Sequence, residues 1–450
     1  MPSGLALVLT LAFIFFLFWR ESRQRTKVSR ALWIPLIWFL ITGSKTIAEW
    51  LNLRSPLDAA TIGDGSPVDA AIFFFLVVTG LYVLKRRHVT LKRFIRNNRW
   101  VTIFLLYCLA AVLWSEFPFI AFKRWIKVLG NVIMALIVLT DAEPQEAIRS
   151  LLKRSAYALA PLSILLITCY PQYGLAFDPV SGEVSYIGVT TNKNTLGHEC
   201  MILGLFFFWN TLEALRRQSP RTRPGELFWS VTFLGMIWWL LWTAKSSTSV
   251  ASLFVGMLVV ALLPLRLVSK RHIGMYVLIG VFVFVAAEMV FGIYSSVVHL
   301  LGRDVTLTDR TRLWPVLLTL QPNPIFGAGF ESYWLGGRVA YLWARYIWHP
   351  TEAHNGYLET YLNLGIVGVV LLAGLIMGTF WKIRLEVLRR FELGRFKLGF
   401  FFAILVYNFT EATFRGIDSA YTMFFLIAVD YQTVIRLRPK RFSETVLQGR

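Results

Sequence analysis

Two groups of residues in this 450-residue chain have the types and spacing to do chemistry. The first is His354-Asn355, placed where a long polar segment runs back into an apolar one. Histidine titrates near neutrality in its ordinary state, so it can activate a hydroxyl or bind a leaving anion. The second is a set of cations at the ends of apolar runs: Lys123, Arg124 and Lys127, then Lys193, then Lys245, then Arg303, Arg310, Arg312, Arg338 and Arg345 in the long segment before His354. On a helix Lys123 and Lys127 share a face, with Arg124 beside them. Any one of these could snorkel to the lipid headgroups. Several segments together describe a basic bowl suited to a lipid-linked anion, above all a diphosphate, which the guanidinium fork binds without titrating.

Membrane helices must position these groups. Hydrophobic residues make up 56% of the chain and charged residues 16%, and the mean hydropathy is +0.57, too apolar for a water-soluble domain of ordinary composition. Apolar runs predict an all-α bundle of roughly twelve to thirteen spans. They lie near 5–19, 31–48, 68–84, 100–116, 120–140, 155–170, 195–213, 227–243, 249–265, 273–292, 356–380, 398–413 and 418–435. Strands of alternating polarity are not the pattern, which argues against an outer-membrane barrel. The formal net charge of +20 would suggest nucleic acid in a soluble chain, but most of it sits in short loops such as 85–99, 216–223 and 382–397. With the N-terminus outside and the C-terminus inside, those loops all face the cytoplasm, as the positive-inside bias expects, and nucleic acid is excluded as a partner. The first apolar run lacks a basic n-region and a cleavage site and reads as a retained span. Cys108, Cys169 and Cys200 sit in or beside apolar spans, with no paired spacing in the outer loops.

This topology leaves one large outward loop, 293–355, far longer than an ordinary connection. It is rich in tryptophan (Trp314, Trp334, Trp343, Trp348), so short helices folded onto the membrane surface are expected. No internal repeat or flexible linker divides the chain, and a single membrane domain over 1–450 is the simplest organisation.

The motifs along this frame resemble one family. His354-Asn355, followed after nine residues by Gly365-Ile366-Val367-Gly368, is similar to the signature of the O-antigen ligase family, shared with related polysaccharide polymerases of bacterial inner membranes. Gly302-Arg303-Asp304 with Leu307-Thr308-Asp309-Arg310-Thr311-Arg312-Leu313-Trp314 looks like that family's loop block, and Gly327-Ala328-Gly329-Phe330 like its Gly-x-Gly-Phe segment. Trp114-Ser115-Glu116 with Lys123-Arg124, Asn192-Lys193-Asn194 and Asn408-Phe409-Thr410-Glu411 add matches in the same order, so the likeness covers about 100–430. Three positions depart from it: Asp309 stands for a glycine, Arg312 for a residue that is often acidic, and Lys245, before Ser246-Ser247, stands where relatives tend to carry Ser-Arg.

The resemblance implies a fold similar to the membrane-embedded (GT-C-like) glycosyltransferases and transfer of a glycan from a polyprenyl diphosphate carrier on the periplasmic face of the inner membrane. The partners it implies are the polyprenyl-diphosphate-linked glycan, an acceptor glycan or lipid A-core, the bilayer and, for a polymerase, a chain-length regulator. His354 and Arg310 are then the catalytic candidates. Arg124, Lys193, Arg303, Arg312 and Lys123 are the diphosphate ligands, and Asn194, Asn355, Glu359 and Glu411 support them. Asn355 also suits a helix N-cap, and Gly365 and Gly368 read as packing glycines. No Asp-x-Asp occurs in the outward segments, and Asp304, Asp309, Glu331 and Glu352 are scattered singly, so a cofactor-free, metal-independent reaction is expected. The loop block favours a polymerase over a ligase. A flippase or transporter would also need an outward cationic cavity, but the repeats and midplane charges of transporters are missing from the sequence.

Overall fold

A computed structural model describes residues 2–23, 28–53, 65–177, 182–216, 223–280 and 310–431. The described chain is an all-α, multi-pass membrane protein, with one two-stranded antiparallel ribbon, Leu175–Phe177 against Val184–Tyr186. Among the described residues five helices are long and apolar enough to cross a membrane: Ser3–Arg23, Pro67–Arg86, Pro144–Cys169, Pro224–Ala244 and Gly356–Arg389. Lipid-facing side chains such as Phe15, Phe74, Trp242 and Val370 stay exposed along them, because hydrocarbon is their solvent.

The interior is built from helices that the others surround. Pro118–Leu139 buries nearly all of its second half, Lys193–Arg216 buries Leu196 to Phe207 without interruption, and all ten residues of Ser419–Ala428 are buried. The Pro144–Cys169 helix starts well before the predicted span, and its extra turns carry Arg149 and Arg154, paired with Glu213 and Glu21. Pairing of this kind is what allows charge to enter a helix packed among apolar neighbours.

Several predicted spans are shorter or more broken than expected. The 31–48 span breaks after Thr42 and a separate short helix begins at Ile47, and the 100–116 span ends at Ala110. The span predicted at 398–413 ends at Tyr407, and the last one is the ten-residue helix Ser419–Ala428, about 15 Å long and too short to cross alone. Between them residues 408–418 are irregular, partly buried backbone, which is tolerated because its polar groups find protein partners. Asn408 accepts from the Thr413 and Phe414 amides at 3.0 and 3.3 Å, and Asn131 donates to the Gly416 carbonyl at 3.1 Å. The predicted 273–292 span is helical from 273 to 280, and the remainder lies outside the described residues.

The described part of the large loop contains short helices, Arg310–Thr319 and Gly337–Arg345. They share a small core of their own, in which Leu313, Leu317 and Leu342 meet Tyr333, Trp334 and Leu362. That core seats the loop on the first turns of the Gly356–Arg389 helix.

Candidate functional site around His354

The site forms where the large loop enters the Gly356–Arg389 helix. Asn355 caps this helix, its side-chain oxygen accepting from the Tyr357 and Leu358 amides, both at 3.0 Å. The Gly356 amide bonds the carbonyls of Asn408 and Glu411, at 2.8 and 3.0 Å. A Cβ at Gly356 would lie 2.0 Å from the Asn408 side-chain oxygen, so only glycine fits against the 408–418 segment. This contact brings two distant parts of the chain together.

His354 sits just before the cap with φ of +49°, a left-handed conformation that costs a residue with a Cβ about 1 kcal/mol or more. The conformation turns its ring onto two carboxylates. Nδ1 lies 2.9 Å from Glu352 Oε1 and 3.2 Å from Glu411 Oε2. Burial alone would lower the imidazole pKa, but these carboxylates outweigh it and hold the ring up at about 9. The ring is therefore an imidazolium at neutral pH. Its Nε2 edge makes no hydrogen bond among the described residues and remains open to a ligand.

Arg415 completes the cluster from the same partly buried turn. Its guanidinium lies 3.2 Å from Glu352 Oε2 and 3.6 Å from Glu359 Oε1, and it donates to the Thr351 carbonyl at 3.1 Å. Glu359 is buried in the first turn of the long helix and holds the surrounding backbone in place. Its carboxylate accepts from Trp334 Nε1 at 2.6 Å, from the Ala353 amide at 3.0 Å and from Asn363 at 3.1 Å. Arg124 joins from the Pro118–Leu139 helix by donating to the Glu331 carbonyl, while the Glu331 carboxylate accepts from the Gly416 amide. Arg124 and the His354 cluster thus belong to one hydrogen-bonded framework.

The ligand atoms of Glu352, His354 and Glu411 all lie within 4.8 Å of one another, a spacing that could hold a metal ion. The carboxylates that sequence reasoning saw as scattered singly are therefore partly gathered. Arg415 and the imidazolium already balance their charge, so the arrangement is complete as an ion cluster.

Residues 231–373, which include the end of the loop, His354 and Gly365, match the family model described as O-antigen ligase. Over 299 residues the chain is also 27% identical to the exopolysaccharide production protein ExoQ of Rhizobium meliloti (strain 1021), across 63% of this chain and 64% of that relative. Part of the chain is thus similar to the O-antigen ligase family. It spans just under two thirds of the length of the curated relative it matches.

In this O-antigen ligase-like chain the structure gathers His354, Asn355, Glu359, Glu411 and Arg124. Lys193 and Asn194 begin a neighbouring helix, capped by Asn192 and tied to the 391–407 helix by Tyr407 Oη, 3.2 Å from the Asn194 carbonyl. Lys123 is half-buried, its ammonium 4.9 Å from the Phe119 ring, and makes no ion pair with the cluster. Arg312 is exposed on the Arg310–Thr319 helix, which Trp314 anchors to the Ala353 carbonyl at 2.9 Å. Arg310 begins that helix, but its side chain lies outside the described residues, as does all of Arg303.

Sequence reasoning missed Arg415 and gave Glu352 no partner. The rule that singled out the other cations, a charge beside a span on the side opposite the basic loops, would also have selected Arg415. Gly365 is a close-packing glycine, as expected, and also breaks the long helix. Its φ is +64° inside the long helix, and a Cβ there would lie 2.1 Å from the Ile325 carbonyl oxygen. The break frees the Ile366 and Val367 amides to bond the Pro324 and Ile325 carbonyls, at 2.9 and 3.3 Å.

Proposed function

We propose that this protein is a glycosyltransferase that moves or polymerises an oligosaccharide carried on a polyprenyl diphosphate. On this reading it works at the periplasmic face of the bacterial inner membrane, with the N-terminus outside and the C-terminus inside. The observation that carries the proposal is His354, strained into position beside Glu352 and Glu411 with one ring edge free. The family match and the printed role of the relative, exopolysaccharide production, support a glycan as the substrate.

The structure sharpens the part His354 would play. An imidazolium cannot take a proton, so it is better fitted to binding the leaving diphosphate through its free Nε2–H than to resting as a general base. The acceptor oxygen attacks the anomeric carbon, its proton passes to a carboxylate of the cluster, and the C–O bond to the diphosphate breaks with the electron pair on the phosphate oxygen. A single displacement inverts the anomeric centre. Arg124 and the loop arginines offset the growing charge, a preorganised effect typically worth several kcal/mol. With cations in place, no divalent ion is required.

Polymerisation on the carrier is favoured over ligation to lipid A-core, because the relative is named for exopolysaccharide production. The test is reconstitution in vesicles with polyprenyl-diphosphate oligosaccharide, reading the product by mass. Glycan lengthened on its carrier supports the polymerase, and glycan on lipid A-core the ligase. His354→Ala and Arg310→Ala should abolish or severely reduce turnover. Wild-type rates in both variants would sink the proposed site.

A further inference from the structure

At the end of the bundle opposite His354, the Arg99–Ala110 and Gly356–Arg389 helices enclose a cavity of about 210 Å³ between them. Arg96, Arg99 and Lys382 line it, together with Trp100, Gly378 and Thr379. The Trp100 ring fits against Gly378, where a Cβ would lie 2.7 Å from the indole, so the glycine holds the cavity wall open for the ring. Lys382 is fixed by Asn98 Oδ1 at 2.8 Å and the Ala428 carbonyl at 2.9 Å. Both partners are neutral oxygens. Arg96 and Arg99 are exposed and form no ion pair among the described residues.

Depth in the membrane makes this more than a basic loop. Lys382 follows the apolar stretch that ends in Phe380-Trp381, and Arg99 opens an apolar helix, so the three cations ring the level at which headgroup phosphates lie. Below them Ile103 and Leu106 on one helix and Val370 and Met377 on the other are exposed, an apolar path for acyl chains. Charge alone would explain arginines in a loop. It does not explain a cavity between two helices with a tryptophan wall and a lysine at its edge.

We propose that this cavity binds the phosphodiester headgroup of an anionic phospholipid, with the acyl chains lying along the two helices. Basic pockets between membrane helices on the cytoplasmic side are a recurrent form of such recognition. The site lies apart from the transfer chemistry and does not depend on it.

The test is native mass spectrometry of the full-length protein in detergent, titrated with phosphatidylglycerol or phosphatidylcholine. One phosphatidylglycerol should be retained preferentially. Arg96→Ala/Arg99→Ala should weaken retention by roughly thirtyfold, about fivefold for each arginine, and Arg96→Lys/Arg99→Lys should restore most of it. A charge-matched control, Lys85→Ala/Arg86→Ala, should retain the lipid as wild type does. Equal loss in the control and the test variant would reduce the effect to net charge and overturn the proposal. So would equal retention of phosphatidylcholine, unchanged retention in the Arg96/Arg99 alanine variant, or displacement of the lipid by millimolar glycerol phosphate, which would mark a soluble phosphate site. Thermal unfolding of each variant without lipid separates lost binding from lost folding.

Discussion

His354 and Glu411 lie fifty-seven residues apart in the chain, yet Nδ1 of the one is 3.2 Å from Oε2 of the other. The contact exists because the Gly356 amide docks on the carbonyls of Asn408 and Glu411, which joins the entry to the long helix to the partly buried turn. Glu352 closes on the same nitrogen from the other side at 2.9 Å.

This pairing predicts a pH dependence. The His354 pKa is raised to about 9, so its contribution to stability is complete below the ordinary value of 6.5 and is lost as pH rises through about 9. The contribution is of the order of 2 kcal/mol once partial exposure is allowed for. In detergent, wild type should unfold at a higher temperature than His354→Gln at pH 6, and the gap should narrow toward pH 9.5. A gap independent of pH would contradict the ion cluster. Transfer activity should fall over the same window as the imidazolium loses its proton.

Arg415 predicts a second outcome. Arg415→Met leaves the buried Glu359 without its cation and Glu352 with His354 alone, and should cost about 1–3 kcal/mol, less than a fully buried pair because Arg415 is a third exposed. Arg415→Lys should recover part of the stability but less of the activity, since a point charge cannot reach both carboxylates and the Thr351 carbonyl at once. Unfolding curves and turnover measured on the same preparations check this.

Gly365 and Gly235 make a paired test. Gly365→Ala places a Cβ at positive φ against the Ile325 carbonyl and should cost roughly 2 kcal/mol or more, with loss of well-folded protein. Gly235→Ala, in a helix with nothing within 4 Å, should be neutral or gain up to about 1 kcal/mol. Equal behaviour of the two would remove the break.

Metal dependence is decided by chelation. Turnover in the reconstituted assay should be unchanged by EDTA. Loss restored by magnesium would turn Glu352, His354 and Glu411 from an ion cluster into a metal site.

By itself the sequence determined that the chain is an all-α membrane protein and where most of its helices lie, and it singled out His354, Arg124, Glu359 and Glu411, which the structure brings into one framework. Hydropathy is a local property read over about twenty residues, and the motif residues announce themselves by type and spacing. Glu352 looked solitary because Arg415, which pairs with it beside His354, comes from beyond two intervening helices. The break at Gly365 was hidden because the carbonyl that demands it belongs to Ile325, forty residues earlier in a loop. The short final helix looked like a complete span because hydropathy cannot tell lipid from protein as an apolar surrounding. Those three features depend on which distant segments meet, and only the tertiary structure, by partly burying polar backbone at 408–418 and satisfying it with residues from other helices, decided them.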